Sequence, residues 1–152
     1  MLRILAVGDV FGTPGLNFVR KNLRRIKNLE QADLVIVNAE NVHDGSGLDR
    51  NDANELFNSG ADVLTGGNHS FRRYAAFELY EDEETVLRPL NFPQRSAGNG
   101  YCIVPIKNGL RALIISVCGQ VFMVPVDSPF YTVERLLEAQ KGKYDIAICD
   151  FH

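Results

Sequence analysis

Side chains that can bind metal ions stand directly after four apolar runs of this 152-residue chain. They are Asp9 after residues 2–7, Glu40 and Asn41 after residues 34–37, Asn68 and His69 after residues 61–64, and Asp150 and His152 after residues 146–149. Carboxylate and amide oxygens together with imidazole nitrogens form a ligand set for divalent cations such as Mg, Mn, Fe or Zn. The lack of thiolate in the set argues against a structural zinc site.

The four apolar runs are short and bounded by turn residues, which is typical of buried strands. A helical pattern follows each of the first three runs, and these patterns predict helices over residues 14–28, from Asp49 to Gly60, and from Ser70 to Tyr80. Alternating strands and helices imply a parallel sheet with right-handed crossovers. Ligands of such a sheet gather beyond the carboxyl ends of its strands. The four ligand sets therefore predict one shared site.

A different pattern begins after residue 100. Residues 101–106 and 110–117 flank Asn108-Gly109, a strong type I′ turn signal, and predict an antiparallel hairpin that joins the sheet. A short helix and a last strand over residues 145–150 follow. We therefore predict one α/β domain over residues 1–152, with a mixed, mainly parallel sheet flanked by helices.

Each candidate ligand taken alone also has an ordinary structural explanation. Asp9 can cap a turn, and the Glu40-Asn41 segment can bond to its own backbone. The Gly-Gly-Asn-His segment is more specific, because its glycines allow close backbone approach, Asn68 offers a carbonyl oxygen, and His69 is suited to act as a general acid. Glu40 stands where a carboxylate could bridge two cations. Joint placement favours two metals about 3.5–4 Å apart, an arrangement used to hydrolyse phosphoesters.

Five motifs occur in order along the chain: Gly8-Asp9-Val10, Asn38-Ala39-Glu40-Asn41, Gly67-Asn68-His69, Arg88-Pro89 with Asn91-Phe92-Pro93, and Asp150-Phe151-His152. Together they resemble the bacterial YmdB-like proteins, calcineurin-like metallophosphoesterases described as 2′,3′-cyclic-nucleotide phosphodiesterases. The resemblance implies that one metal is bound by Asp9 and Asn41, that Glu40 bridges, and that the second metal is bound by Asn68 and His152. It also implies that His69 is the general acid that protonates the leaving ribose oxygen.

One feature departs from the pattern of the wider superfamily, and two depart from that of the family itself. Phe11 stands where the wider superfamily has the histidine of Asp-x-His, and the resemblance implies that Asn41 replaces it. Ser70-Phe71-Arg72 stands where the family often has Thr-Trp-Asp, next to the substrate pocket. The family's later Gly-Thr-His-Thr-His segment, whose histidines complete the two metal shells, has no counterpart in residues 1–152. The resemblance therefore implies that the chain carries the first, larger part of the family's domain.

Some residues outside this set have two interpretations. His43 and Asn91 are further candidates for contacting a substrate, and their ordinary roles are those of a loop residue and of a rigid connector. A basic helix is indicated by Arg20, Lys21, Arg24, Arg25 and Lys27. Its usual role is a solvated face, and RNA contact is the alternative.

Composition narrows the class of protein. The net charge of −3 provides no global attraction to nucleic acid or to an anionic membrane. Three cysteines without Cys-x-x-Cys spacing predict reduced structural thiols, with Cys118 and Cys149 buried in apolar runs. The N-terminus lacks a signal-peptide pattern, and no apolar stretch approaches the roughly 20 residues of a bilayer span. We expect a cytoplasmic protein.

Three functional hypotheses follow. The first is a phosphodiesterase that uses two divalent metals (Fe, Mn, Mg or Zn) to generate hydroxide. Its substrates would be 2′,3′-cyclic nucleotides or RNA-end phosphodiesters, and a homo-oligomer is compatible with this hypothesis. The second is a truncated, non-catalytic module that binds metal or nucleotide. The third, a flavodoxin-like nucleotide-binding domain, is disfavoured because Asp9 would repel phosphate in the turn after the first strand.

Overall fold

The computed structural model describes the whole chain, residues 1–152, as seven strands and four helices. In chain order these are β1 (Ile4–Val7), α1 (Gly12–Glu30), β2 (Leu34–Asn38), α2 (Arg50–Ser59), β3 (Val63–Thr65), α3 (Ala75–Asp82), β4 (Val86–Leu87), β5 (Tyr101–Pro105), β6 (Arg111–Val117), α4 (Pro129–Ala139) and β7 (Ile146–Phe151). The predicted helices and strands are present, with shifted ends, and the two-residue strand β4 was not predicted.

The first sheet is wholly parallel, in the order β1-β2-β3-β4. Every residue of β2 is buried, as expected for a central strand that is covered on both faces. Its side chains alternate between two apolar layers, so Val35 and Val37 contact one layer and Leu34 and Ile36 the other. The parallel order brings the carboxyl ends of β1, β2 and β3 to one edge.

The second sheet has the order β5-β6-β7, and it corrects one detail of the prediction. The hairpin of β5 and β6 forms as predicted, with positive φ at Asn108 and Gly109. It was predicted to join the parallel sheet, and that was wrong, because the hairpin and the parallel strand β7 make a separate sheet. An apolar pattern indicates that a strand is buried, but it does not indicate which strand is its neighbour.

The two sheets pack face to face, and helices cover the outer face of the first sheet and the outer face of β5 and β6 in the second. Leu34, Ile36 and Val63 of the first sheet form one apolar cluster with Ala112 and Ile114 of the second. Helices α1, α2 and α3 pack on the other face of the first sheet, and α4 packs on the outer face of the second. The mixed α/β architecture with a mainly parallel sheet flanked by helices is confirmed.

Helix ends follow the capping prediction in one case and not in another. Asp49 caps α2 by accepting a hydrogen bond from the Asp52 amide, and Gly60 ends the helix at a φ of 113°. Ser70 was predicted to cap the next helix, but α3 begins at Ala75. The Ser70 hydroxyl instead bonds the backbone of Gly67. None of the helices combines the length and the apolar character needed to cross a membrane.

The outer face of β7 is open to solvent. Cys118 is buried as predicted, whereas Cys149 is exposed and that prediction was wrong. The strand alternates, so Ile146 and Ile148 face the first sheet while Cys149 and Phe151 face outward. All three cysteines are free thiols.

Candidate metal centre

Six of the predicted site residues form one contiguous network at the shared edge of the two sheets. Asp9 follows β1, Glu40 and Asn41 follow β2, Asn68 and His69 follow β3, and His152 follows β7. Hydrogen bonds and ion pairs connect all six. The site therefore lies between two sheets rather than at the end of one. Residues from opposite ends of the chain are brought within one hydrogen-bonded cluster.

Glu40 is the centre of this network. Its side chain is 1% exposed, so its charge depends on protein partners. Glu40 Oε1 lies 2.8 Å from His152 Nε2 and 3.1 Å from Asn41 Nδ2, and Oε2 accepts a 3.0 Å hydrogen bond from the backbone amide of His69. A single buried carboxylate thus contacts residues from three of the four segments.

Glu40 and His152 shift each other's pKa. Burial by itself raises the pKa of Glu40, but the hydrogen bond from His152, the His69 amide and the two nearby imidazoles more than offset it, so the pKa lies below its ordinary value. The pKa of His152 is raised, chiefly by its hydrogen bond to Glu40 and against the effect of burial. Both shifts favour a charged Glu40–His152 pair, and a cation bound by His152 Nε2 would have to replace the proton on that nitrogen.

Asn41 connects the centre to Asp9 and to His69. Its amide nitrogen donates to Asp9 Oδ2 at 2.8 Å, and its carbonyl oxygen lies 2.6 Å from His69 Nδ1. His69 is therefore oriented through Nδ1, and its Nε2 has no protein partner. A carboxamide oxygen has two lone pairs, so Asn41 Oδ1 can accept from His69 and still coordinate a cation.

The donor atoms fit divalent cations. Two ligands about 2.1 Å from one metal and 90–110° apart stand roughly 3.0–3.4 Å from each other. His152 Nε2 lies 3.2 Å from Asn68 Oδ1 and 2.8 Å from Glu40 Oε1. His152 Nε2 thus has two oxygens beside it that could share a cation with it, and Asp9 Oδ2 lies next to the Asn41 side chain, which also contacts Glu40.

Gly67 permits this close approach. A β-carbon at this position would overlap Glu40 Oε2 and stand 2.7 Å from His152 Cδ2. The backbone of the Gly-Asn-His segment therefore lies directly against the buried carboxylate. The glycine of this motif is required by the packing of the site and not by a left-handed φ.

Asp150 has a role that the sequence did not indicate. Its Oδ2 accepts hydrogen bonds from Asn38 Nδ2 at 2.8 Å and from Thr65 Oγ1 at 2.5 Å, both on the first sheet. Alternation along β7 turns Asp150 inward, and the same alternation turns Asn38 inward along β2. Asp150 joins the two sheets directly behind the centre, and this position keeps His152 next to Glu40.

His43 and Asn91, the two candidates for substrate contact, lie outside the network. His43 Nδ1 is 2.7 Å from Asp52 Oδ2 and 3.2 Å from Asp49 Oδ2, at the N-terminus of α2. These atoms lie within 4.8 Å of one another, so they could also hold a cation. The pKa of Asp52 is raised, first by burial. Asn91 is buried, and its amide bonds the backbone of Cys118 and Asp127. Contact of either residue with a substrate stays a prediction.

Solved structures with the same fold identify the class of this protein. A novel phosphatase from Mycoplasma pneumoniae matches with a TM-score of 0.90 at 30% identity, and the match covers 99% of this chain and 55% of that one. A hypothetical protein from Thermus thermophilus matches with a TM-score of 0.91 at 38% identity, covering 99% of this chain and 57% of that one. The chain therefore has the phosphatase-type α/β fold of these solved structures.

The particular family follows from the sequence comparison. The model of the YmdB-like family matches residues 5–152, and the chain belongs to this family. The chain is 33% identical over 151 residues to a 2′,3′-cyclic-nucleotide 2′-phosphodiesterase of Bacillus subtilis. That match covers 99% of this chain and 57% of the relative, so the chain spans little more than half the length of the proteins it resembles.

Proposed function

We propose that this protein is a metal-dependent phosphodiesterase that hydrolyses 2′,3′-cyclic nucleotides or phosphodiesters at RNA ends. Asp9 and Asn41 would hold one divalent cation, Asn68 and His152 a second, and Glu40 would bridge them. Two such cations, when bound, supply a hydroxide nucleophile at neutral pH and stabilise charge on the phosphoryl oxygens. The name of the Bacillus subtilis relative and the match to the family model support this substrate class.

His69 is proposed as the general acid. Its Nδ1 is held by Asn41 Oδ1 and lies 3.5 Å from Glu40 Oε1, so the ring orientation is fixed from within the site. The opposite nitrogen, Nε2, is free to donate a proton to the leaving ribose oxygen. Positioned proton transfer of this kind contributes about 10²–10⁴-fold to a rate.

The observation that carries the proposal is the environment of Glu40. A carboxylate that is 1% exposed, with its pKa lowered, contacts the ligand candidates of both sheets through both of its oxygens. Apolar packing does not explain why a carboxylate is buried at this edge of the sheets. A bridging role between two cations accounts for its burial, its charge and its central position.

The test is manganese-dependent hydrolysis of 2′,3′-cyclic AMP by the purified chain. Asn68→Ala should abolish metal-dependent turnover, and His69→Asn should reduce it about 10²–10⁴-fold while manganese binding is retained. Asn51→Ala, an exposed amide on α2, is the matched control and should leave turnover unchanged. Unchanged activity of the Asn68→Ala protein would refute the ligand assignment.

A second candidate function rests on the partial coverage of the relatives. Because the chain matches 57% of the Bacillus subtilis protein, its residues could bind metal or nucleotide without completing turnover. Stoichiometric manganese binding that depends on Asn68, without hydrolysis of any cyclic nucleotide, would favour this binding module. We further propose a cytoplasmic location and a single domain over residues 1–152.

A further inference from the structure

A strongly basic groove lies on the helical face of the molecule, between α1 and α2. It has a volume of about 720 Å³, and no hydrophobic side chain lines it. The lining consists of four cations, one carboxylate and three neutral polar residues: Arg20, Lys21, Arg24, Arg25, Glu55, Asn28, Asn58 and Ser59. The chain as a whole carries a net charge of −3, so positive charge is concentrated here against the overall balance.

The cations of the groove divide into two kinds. Arg20 pairs with Glu55 at 3.3 Å, and Arg24 donates to the backbone oxygen of Asn58, so these two connect α1 to α2. Lys21 and Arg25 are exposed, and no carboxylate lies within 4.0 Å of either. Two fixed and two free cations thus surround one concave polar surface. The contact between the helices does not need Lys21 or Arg25.

The groove is separate from the metal centre. Helix α1 begins beside Asn41, where the Gly12 amide donates to the Asn41 carbonyl oxygen, and it ends beside Arg3, which bonds the carbonyl oxygen of Glu30. At 1.5 Å per residue, residues 20–28 lie roughly 12–24 Å along the helix from its start at the site. An anion in the groove would therefore not contact the metal ligands.

We propose that this groove binds the sugar-phosphate backbone of a nucleic acid strand. Guanidinium and ammonium groups neutralise phosphates, and the side-chain amides of Asn28 and Asn58 can donate to sugar and phosphate oxygens. No aromatic side chain lines the groove, so bases have no surface on which to stack. Binding is therefore independent of sequence and strongly dependent on salt.

The lining of the groove disfavours the other polyanion, an anionic membrane. A membrane-surface helix presents hydrophobic side chains beside its cations, whereas no hydrophobic residue lines this surface. The inference does not depend on the proposed phosphodiesterase activity.

The test is fluorescence anisotropy with a labelled oligouridylate of about 20 nucleotides, in EDTA so that the metal centre does not contribute. Two phosphate contacts, from Lys21 and Arg25, predict a slope of about −1.4 for log K against log salt concentration, and contacts from Arg20 and Arg24 as well would bring it to about −3. The Lys21→Glu/Arg25→Glu variant should weaken binding at least about 25-fold at 0.1 M salt and make the slope shallower by about 1.4, because two contacts are lost. Anionic vesicles of phosphatidylcholine and phosphatidylserine, in a roughly 7:3 ratio, are tested in parallel.

The matched control is Arg135→Glu/Lys143→Glu, which changes the net charge equally at exposed positions on the side of the second sheet. Circular dichroism establishes that both variants are folded. Selective loss with the groove variant supports the inference. It is overturned by an equal loss in both variants, by an absence of wild-type binding, or by binding to vesicles without binding to the oligonucleotide.

Discussion

Replacement of Gly67 by alanine tests whether the centre depends on direct contact between the Gly-Asn-His backbone and Glu40. The added methyl would overlap Glu40 Oε2 and stand 2.6 Å from Glu40 Cδ and 2.7 Å from His152 Cδ2. The backbone at this residue is held by Ser70, so the carboxylate and the imidazole must move instead. We expect both the stability and the cation affinity of the protein to fall.

The size of the effect follows from the bonds that Glu40 would lose. Its hydrogen bonds to His152 and to the His69 amide are charge-assisted, and each contributes roughly 1.5–3 kcal/mol. Alanine recovers about 0.4–1 kcal/mol by restricting the unfolded chain. The free energy of unfolding should therefore fall by about 2–5 kcal/mol. For a slope near 2 kcal/mol/M, the urea midpoint falls by about 1–2.5 M.

Gly8→Ala is the matched control for this experiment. Gly8 follows β1 at the same edge of the sheet, and a β-carbon there would meet nothing within 4 Å. Urea unfolding followed by circular dichroism gives the stability of both variants, and calorimetric titration gives their manganese affinity. The reasoning is refuted if Gly67→Ala matches Gly8→Ala in urea midpoint and binds manganese as the wild type does.

Two further predictions concern the residues behind and beside Glu40. Asp150→Ala removes the acceptor that joins the two sheets and leaves two buried donors unpaired, so the free energy of unfolding should fall by about 2–4 kcal/mol. The control Asp127→Ala, at an exposed side chain, should change the free energy of unfolding little. Equal urea midpoints of the two variants would contradict the role of Asp150. Because the pKa of His152 is raised above 6.5, chiefly by Glu40, the stability that the pair provides is complete below pH 6.5 and is lost as the pH rises through the folded-state pKa. In EDTA, stability should therefore decline above pH 6.5, and the same decline in His152→Ala would exclude this pair as its cause.

The ligand candidates could be predicted from the sequence because they obey a local rule. Each follows an apolar run, and parallel strands place their carboxyl ends together. That rule located Asp9, Glu40 and Asn68 without any knowledge of side-chain contacts. The capping of α2 by Asp49 could be predicted for the same reason, since the signal and its effect lie within the same helical turn.

Features that depend on distant residues could not be predicted. The placement of β5 and β6 in a second sheet depends on which strand they pair with, and an apolar pattern carries no such information. Ser70 has the residue type of a helix cap, but its hydroxyl is bonded to Gly67. Asn91 is fixed by backbone groups 27 and 36 residues away, and Asp150 by a strand 112 residues away. Such partners are visible only in the folded chain.

The contact between the two sheets has a kinetic consequence. Asn38 and Asp150 are 112 residues apart in the chain, and closing so long a loop is entropically expensive until most of the core has formed. The two halves of the centre should therefore meet late in folding, after the rate-limiting barrier. A cation that requires both halves then stabilises the native state but not the transition state. It would slow unfolding while leaving the folding rate nearly unchanged, and the metal would determine how long the folded molecule lasts.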